Sequence, residues 1–484
     1  MEAAFSGGAA ALTTGVILTA LALHLGASTV MIGLLASAPF LAQLLQVPAI
    51  GLVERLRTRK KIAVLTSIAG RLMLAVMAAT AFFNGLVPLI VFLAAQFILC
   101  GLGAIGACAW NAWMRDLAPE ERLGRVFARR TAWLTAISLL LSLFAAFALE
   151  LTPAGSQSRS VVFAAMLGAG CVTGLISARI VSSMPEPKMP PAEGPIRLRE
   201  LLRQPFRDVN FSRLLRFVAS WQFAINLATP FFTVFIVRQL RFDISFVMVL
   251  SVVSQLANLL ALRSWGVLSD RFANKSVLAV CAPAYILAIV AMIGASQLDS
   301  RMLVAGWLIM LHIIMGGALA GVTLSSTNIA LKLSPKGSAT AYVAANAMVA
   351  ALAAGLAPIL GGLLADFFAR RELALMVRWT SPNGVLTLPV ILTNWDFYFL
   401  LAGIVGLHAM HRLSLVAEHG EIERREMINQ VLSETWRGVR NISSVGGLKA
   451  ATDIPASLLR DARLRLRLRR AHTNRDARSE SSAT

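Results

Sequence analysis

Four uncharged polar residues, Gln222, Asn226, Thr229 and Thr233, recur at spacings of four, three and four inside an otherwise apolar run. On a helix that spacing lines them along one face. Such a row of donors and acceptors suits the grip of a neutral polar solute, or a bond to a neighbouring helix. Ser251, Gln255 and Asn258 repeat the pattern in the following run, and Gln96 and Asn111 add amides to an earlier one. His312, about ten residues into its run, can change charge near neutral pH or serve as a neutral hydrogen-bonding group between helices. We read Gln96, Gln222, Asn226, Thr229, Gln255, Asn258 and His312 as the walls of a solute path. Every Asp and Glu falls in a loop, a terminus or a last helical turn, and no metal-ligand spacing or nucleophile motif is present. No catalytic residue, metal or cofactor is therefore expected, and an enzyme is the weakest reading.

The elements that must position these groups are membrane helices. Of 484 residues, 57% are hydrophobic and 14% charged, and mean hydropathy is +0.70. A soluble chain carries about 25% charged residues. Apolar runs long enough to cross about 30 Å of hydrocarbon recur twelve times, near 5–24, 29–52, 62–82, 87–110, 130–150, 160–182, 215–237, 245–267, 276–296, 302–326, 340–365 and 395–412. The fold class is an all-α polytopic membrane protein of twelve transmembrane helices in two pseudosymmetric six-helix bundles. Residues 1–182 form the first bundle, 183–213 a linker with a basic amphipathic segment, 214–412 the second bundle, and 413–484 a basic, partly disordered tail. The N-terminal run has no basic stretch before it and is too long for a cleavable signal. Cys100, Cys108, Cys171 and Cys281 lie in apolar runs without paired spacing and read as core residues.

Most of the 45 lysines and arginines fall on one side of this topology. The segment Arg55-Leu-Arg57-Thr-Arg59-Lys60-Lys61 opposes an uncharged loop around Gly26, so both termini are expected in the cytoplasm. The net charge of +20 is a topology signal and requires no nucleic acid. The expected location is a bacterial inner (plasma) membrane, and a monomer is expected. The run Arg463-Leu-Arg465-Leu-Arg467-Leu-Arg469-Arg470 in the tail either meets anionic lipid or has no specific partner. Arg71, at mid-depth of the third run, must tuck toward protein and is expected to be structural.

Two segments at matching places carry the most specific signal. Gly266-Val-Leu-Ser-Asp270-Arg271-Phe-Ala-Asn-Lys275 follows the second helix of the second half, and Gly51-Leu-Val-Glu54-Arg55-Leu-Arg-Thr-Arg59-Lys60 follows the second helix of the first. The former resembles the cytoplasmic signature of the major facilitator superfamily, and the latter is a degenerate copy with Glu54 in place of Asp. Two copies in two halves are the trace of an internal repeat. The resemblance spans roughly residues 5–412 and implies gating by Glu54, Arg55, Gly266, Asp270, Arg271 and Lys275, which help close the cytoplasmic side; a solvated loop is the plainer reading. The segment from Trp110 to Arg130 resembles the loop between helices four and five of bacterial members, with Pro119 matched by Pro335 in the second half. Gly355-Leu-Ala-Pro358-Ile-Leu-Gly361-Gly362 is similar to the glycine–proline antiporter motif, yet it stands in helix eleven and not in helix five. The arginine of the family's proton-relay motif is replaced by Phe97.

The resemblance implies a secondary transporter moving a small solute by alternating access. The neutral walls point to a neutral or amphipathic organic solute, and the missing carboxylates favour a facilitator or coupling through another group. Two alternatives stand beside it, a non-transporting sensor of the same fold and a lipid-handling member.

Overall fold

Apolar runs with few breakers become helices, and the computed structural model describes them over residues 2–13, 15–117, 120–153, 156–187, 198–271, 273–335, 339–369, 371–381 and 384–418. The first span is interrupted: α1 (Glu2–Leu12) and α2 (Gly15–His24) meet at Thr13, whose hydroxyl donates back to the Ala9 carbonyl at 2.7 Å. The second is bent by 41° between α3 (Thr29–Gln43) and α4 (Gln46–Leu56). The first half continues through α5 (Arg59–Thr80), α6 (Leu86–Leu117), α7 (Glu120–Glu150) and α8 (Gln157–Ser182). The short α9 (Leu198–Arg207) then packs on α10 (Val209–Val234) and α14 (Ala339–Phe368). A π turn over Phe235–Gln239 extends α10, and α11 (Ile244–Arg271), α12 (Asn274–Ala291), α13 (Arg301–Lys332), α14 and α15 (Asn394–Ser414) complete the second half.

Packing repeats between the halves. The pairs α1–α7, α1–α8, α3–α6, α5–α6 and α5–α8 recur as α10–α14, α10–α15, α11–α13, α12–α13 and α12–α15. The halves meet through α3 on α14 and, symmetrically, α7 on α11. This is a two-bundle membrane fold. Among the described residues, ten helices or helix runs are long and apolar enough to cross a membrane, and the bent α3–α4 pair makes an eleventh. In the twelfth position, α15 carries buried Asp396 in its first turn and His408, His411 and Arg412 toward its end, which shortens its apolar stretch. Large apolar side chains such as Leu140, Phe144 and Leu260 stay exposed on the helix surfaces, where lipid rather than water is their solvent.

The structure adds one element and corrects one expectation. The connection between α14 and α15 is an antiparallel hairpin, β1 (Glu372–Ser381) with β2 (Gly384–Thr393), in register from Glu372↔Thr393 to Ser381↔Gly384. Val377, Thr380, Val385, Thr387, Val390, Ile391 and Thr393 supply β-branched residues to the strands, and Gly384 takes φ +142° at the turn. The Trp110–Arg130 segment is mostly helical, because α6 runs on to Leu117 and α7 begins at Glu120. Its Ala, Leu, Arg and Glu content favours helix beyond the hydrocarbon. Pro119 and the tail beyond Glu418 lie outside the described residues.

The ends carrying Arg57–Arg59, Ser183–Pro187, Ala273 and Leu415–Glu418 are termed the linker face, and the opposite ends the hairpin face.

Candidate functional site

The signature copies sit at the linker face. Glu54 and Arg55 end α4 as exposed side chains, and Arg57 turns the chain with φ 51°. Gly266 lies on α11 with open space where a Cβ would stand. Asp270 and Arg271 form the last turn of α11, and their side chains lie outside the described residues. The basic ends of both copies are tied down. Arg59 donates to the carbonyls of Ala112 at 3.1 Å and Pro187 at 3.2 Å. Beneath it, Val53, Ile62, Ala63, Ala109, Trp113 and Val181 form a buried cluster, and Trp113 Nε1 donates to Pro185 at 3.0 Å.

Sequence reading missed the acids that complete this arrangement. The Lys60 amide donates to Glu186 Oε1 at 3.0 Å, and Lys60 Nζ to the Met184 carbonyl at 2.8 Å. In the second half the Lys275 amide donates to Glu418 Oε2 at 2.7 Å, and Lys275 Nζ to the Val416 carbonyl at 2.5 Å. Each glutamate thus accepts from the N-terminus of a third helix of its half, α5 or α12, where a carboxylate is favoured. The signal was present as a second repeat: Met184-Pro-Glu186 and Val416-Ala-Glu418 follow the sixth helix of each half with equal spacing. Glu418 also accepts from Asn274 Nδ2 at 3.0 Å and from Lys332 Nζ at 2.9 Å. Burial acts to raise its carboxyl, but those bonds hold it below the ordinary carboxylate value.

At the hairpin face the halves bond to each other. The Thr29 hydroxyl donates to the Gly362 carbonyl at 3.2 Å and to Asp366, Arg238 Nη2 to the Ala27 carbonyl at 2.9 Å, and the Ser245 hydroxyl to Glu150. Close approach of α3 to α14 explains the glycine–proline stretch of helix eleven. A Cβ on Gly33 would stand 2.2 Å from the Pro358 carbonyl oxygen, and one on Gly362 2.6 Å from that of Thr29. Small residues here are the surface on which the bundles touch.

The predicted path residues divide. Asn226 donates to the Gln222 carbonyl at 2.8 Å and to Gln222 Oε1 at 3.4 Å, so this pair is partly self-satisfied. Exposed Thr229 bonds back to the Ile225 carbonyl at 2.7 Å and meets the Tyr285 hydroxyl at 3.4 Å. Asn258 donates to the Gly316 carbonyl at 3.2 Å, joining α11 to α13, while Gln255 is exposed. His312 Nδ1 pairs with the Leu308 carbonyl at 2.8 Å, and its ring stands edge-on to Phe232 with centroids 6.4 Å apart. Gln96 reaches Cys100 Sγ at 3.3 Å within its own helix, and its buried Oε1 has no hydrogen-bond partner. Thr229 of α10 thus meets Tyr285 of α12, Phe232 of α10 meets His312 of α13, and Asn258 ties α11 to α13, while Gln96 bonds within its own helix. Buried Ser325 on α13 and Asn346 on α14 also carry oxygens without a partner, which marks them as water- or ligand-facing candidates the sequence reading missed.

A cavity of about 390 Å³ lies within the first half, lined by residues of α1, α5, α6, α7 and α8 that include Glu2, Ser67, Arg71, Trp110, Asn111 and Arg130. A smaller cavity of about 250 Å³ includes His24 and Arg159 of the first half with Val237 and Ile244 of the second.

Two bundles of membrane helices joined along α3–α14 and α7–α11 define a multi-pass membrane protein. The sequence profile of the Major Facilitator Superfamily matches residues 3–358, and the chain belongs to that family. No curated protein matches it. Among solved structures it is similar to the nucleoside transporter NupG, at 13% identity over 86% of this chain and 97% of that one, with a TM-score of 0.60. It is likewise similar to the inward open conformation of the xylose transporter XylE from E. coli, at 14% identity over 89% and 98%, TM-score 0.60. A third is the bacterial homologue of the human lysosomal transporter Spinster in its inward-facing, occupied conformation, at 15% over 86% and 95%, TM-score 0.59. At these identities the likeness concerns the fold.

Proposed function

We propose that this secondary transporter moves a small neutral or amphipathic organic solute by alternating access, with the linker face and both termini in the cytoplasm of a bacterial inner membrane. The observation that carries the reading is the placement of bonds. Thr29, Ala27 and Glu150 tie the halves together at the hairpin face, whereas Glu186 and Glu418 at the linker face each bind within a half and its own flanking segment. Each bundle is thus stiffened by itself, and the side-chain hydrogen bonds named between the bundles lie at the hairpin face. That is what rocking about a central site needs. Asp270, Arg271, Glu54 and Arg55 take the gating role on the linker face when it closes. The solute meets Gln222, Asn226, Thr229, Gln255, Asn258, His312 and Gln96, uncharged groups that fix orientation by hydrogen bonds.

A reversible lock at the hairpin face tests it. Thr29→Cys with Asp366→Cys, in a background otherwise free of cysteine, places two thiols where a hydroxyl and a carboxylate now bond. Oxidation should abolish transport of an identified solute in proteoliposomes, and reduction should restore it. Transport that continues at full rate in the cross-linked protein would sink the alternating-access reading.

A further inference from the structure

Among the described residues, the cavity inside the first half holds two arginines, Arg71 and Arg130, and one acid, Glu2. Arg71 lies about 18 Å in from Arg59 along α5, counting 1.5 Å per residue. Its side chain crosses Gly174 of α8, where a Cβ would stand 2.4 Å from Arg71 Cδ. It lines the cavity, yet it makes no hydrogen bond or ion pair among the described residues. The acid that shares the cavity is already taken: Arg130 grips Glu2 through Nε and Nη2, both at 3.1 Å, and stacks on Trp110 with its guanidinium carbon 4.6 Å from the ring centroid. Glu2 also acts on Arg71 through space, but one carboxylate cannot balance two guanidinium groups, so the described walls keep a net positive charge. An arginine stays protonated even here, so it cannot escape the cost by becoming neutral.

Two further polar side chains on the same walls have no partner. Ser67 stands one turn before Arg71 on the same face of α5, and Asn111 projects from α6. Neither makes a hydrogen bond among the described residues. The remaining walls mix the hydroxyls of Ser6, Thr66 and Ser177 with apolar or small residues that include Leu99, Leu102, Gly103 and Val181.

We propose that this cavity is a binding site for an organic monoanion. Its oxyanion group takes a forked hydrogen bond from Arg71, supported by Ser67 and Asn111, and its apolar part lies on Leu99, Leu102 and Val181. A volume of about 390 Å³ suits a body of small-molecule size. The site lies within one half and is distinct from the path between the halves, so its test does not depend on transport.

Benzoate and its uncharged isostere benzamide are the probes, titrated into the purified, delipidated full chain by calorimetry. Benzoate binds and benzamide binds at least about tenfold more weakly, the difference expected for losing a charge-assisted pair. Arg71→Gln weakens benzoate by a similar factor. Gly103→Leu keeps the charge but fills the cavity from a wall with open space, and it abolishes binding should Arg71→Gln fold poorly. Native mass spectrometry of the protein before delipidation separates the sources. A phosphatidylglycerol adduct lost in Gly103→Leu assigns the anion to a lipid, and benzoate binding with no such adduct assigns it to a soluble acid. Equal affinity for benzamide, retained benzoate affinity in Arg71→Gln, or neither benzoate binding nor an adduct overturns the proposal.

Discussion

Glu418 shows how far one carboxylate reaches. It joins the start of α12, the end of α13 through Lys332, and the segment after α15. Its carboxyl is held below the ordinary value, so the sign follows from linkage: this stabilisation is present above the unfolded pKa and is lost as pH falls through the folded one. Glu418→Gln should lower unfolding stability by about 1–3 kcal/mol at neutral pH, the cost of losing charged hydrogen bonds. The variant and the unmodified protein should converge under acid, read by thermal denaturation across pH. The path residues are tested differently, because Asn226 and Gln222 spend part of their bonding capacity on each other. Gln222→Leu and Asn226→Leu should reduce solute transport at least about tenfold with little change in folded yield. A fall in yield at unchanged specific transport would make the pair scaffold. The stripe itself was legible, since spacing alone puts these residues on one face. Which of them satisfy each other was not, because a rotamer decides it.

Among elements, the helices were legible because a span of hydrocarbon demands an unbroken apolar run. What escaped were features set by pairing. The β1–β2 hairpin announced itself only through the Asn383-Gly384 pair between two short runs. The glutamate clamps at Glu186 and Glu418 join residues 126 and 143 positions apart, a distance over which periodicity carries no information. The glycines of α3 and α14 have a similar status: their spacing was visible, their partner was not. Gly33→Val tests the contact, because its side chain would enter the Pro358 carbonyl. The expected result is a hairpin face that stays open, with a cysteine at Ala27 labelled by a membrane-impermeant thiol reagent several-fold faster than in the parent. Unchanged labelling would mean α14 yields without moving the bundle.

The molecule as a whole is a repeat of two halves, and its symmetry extends past the spans. Glu186 and Glu418 occupy equivalent places, but the residues after them face different obligations. The first leads into the linker and α9, which must reach the second half. The second leads into the tail. The protein therefore has a natural stop point that helix boundaries alone would misplace. Ending translation after Glu418 leaves the carboxylate and its bonds to Asn274, Lys275 and Lys332 in place, so detergent-solubilised yield should match the full chain. Ending it after Val416 should cut that yield severalfold, although every residue of α15 is still made. Ribosomes must thus deliver four residues beyond the last helix before the second bundle can seal its own base.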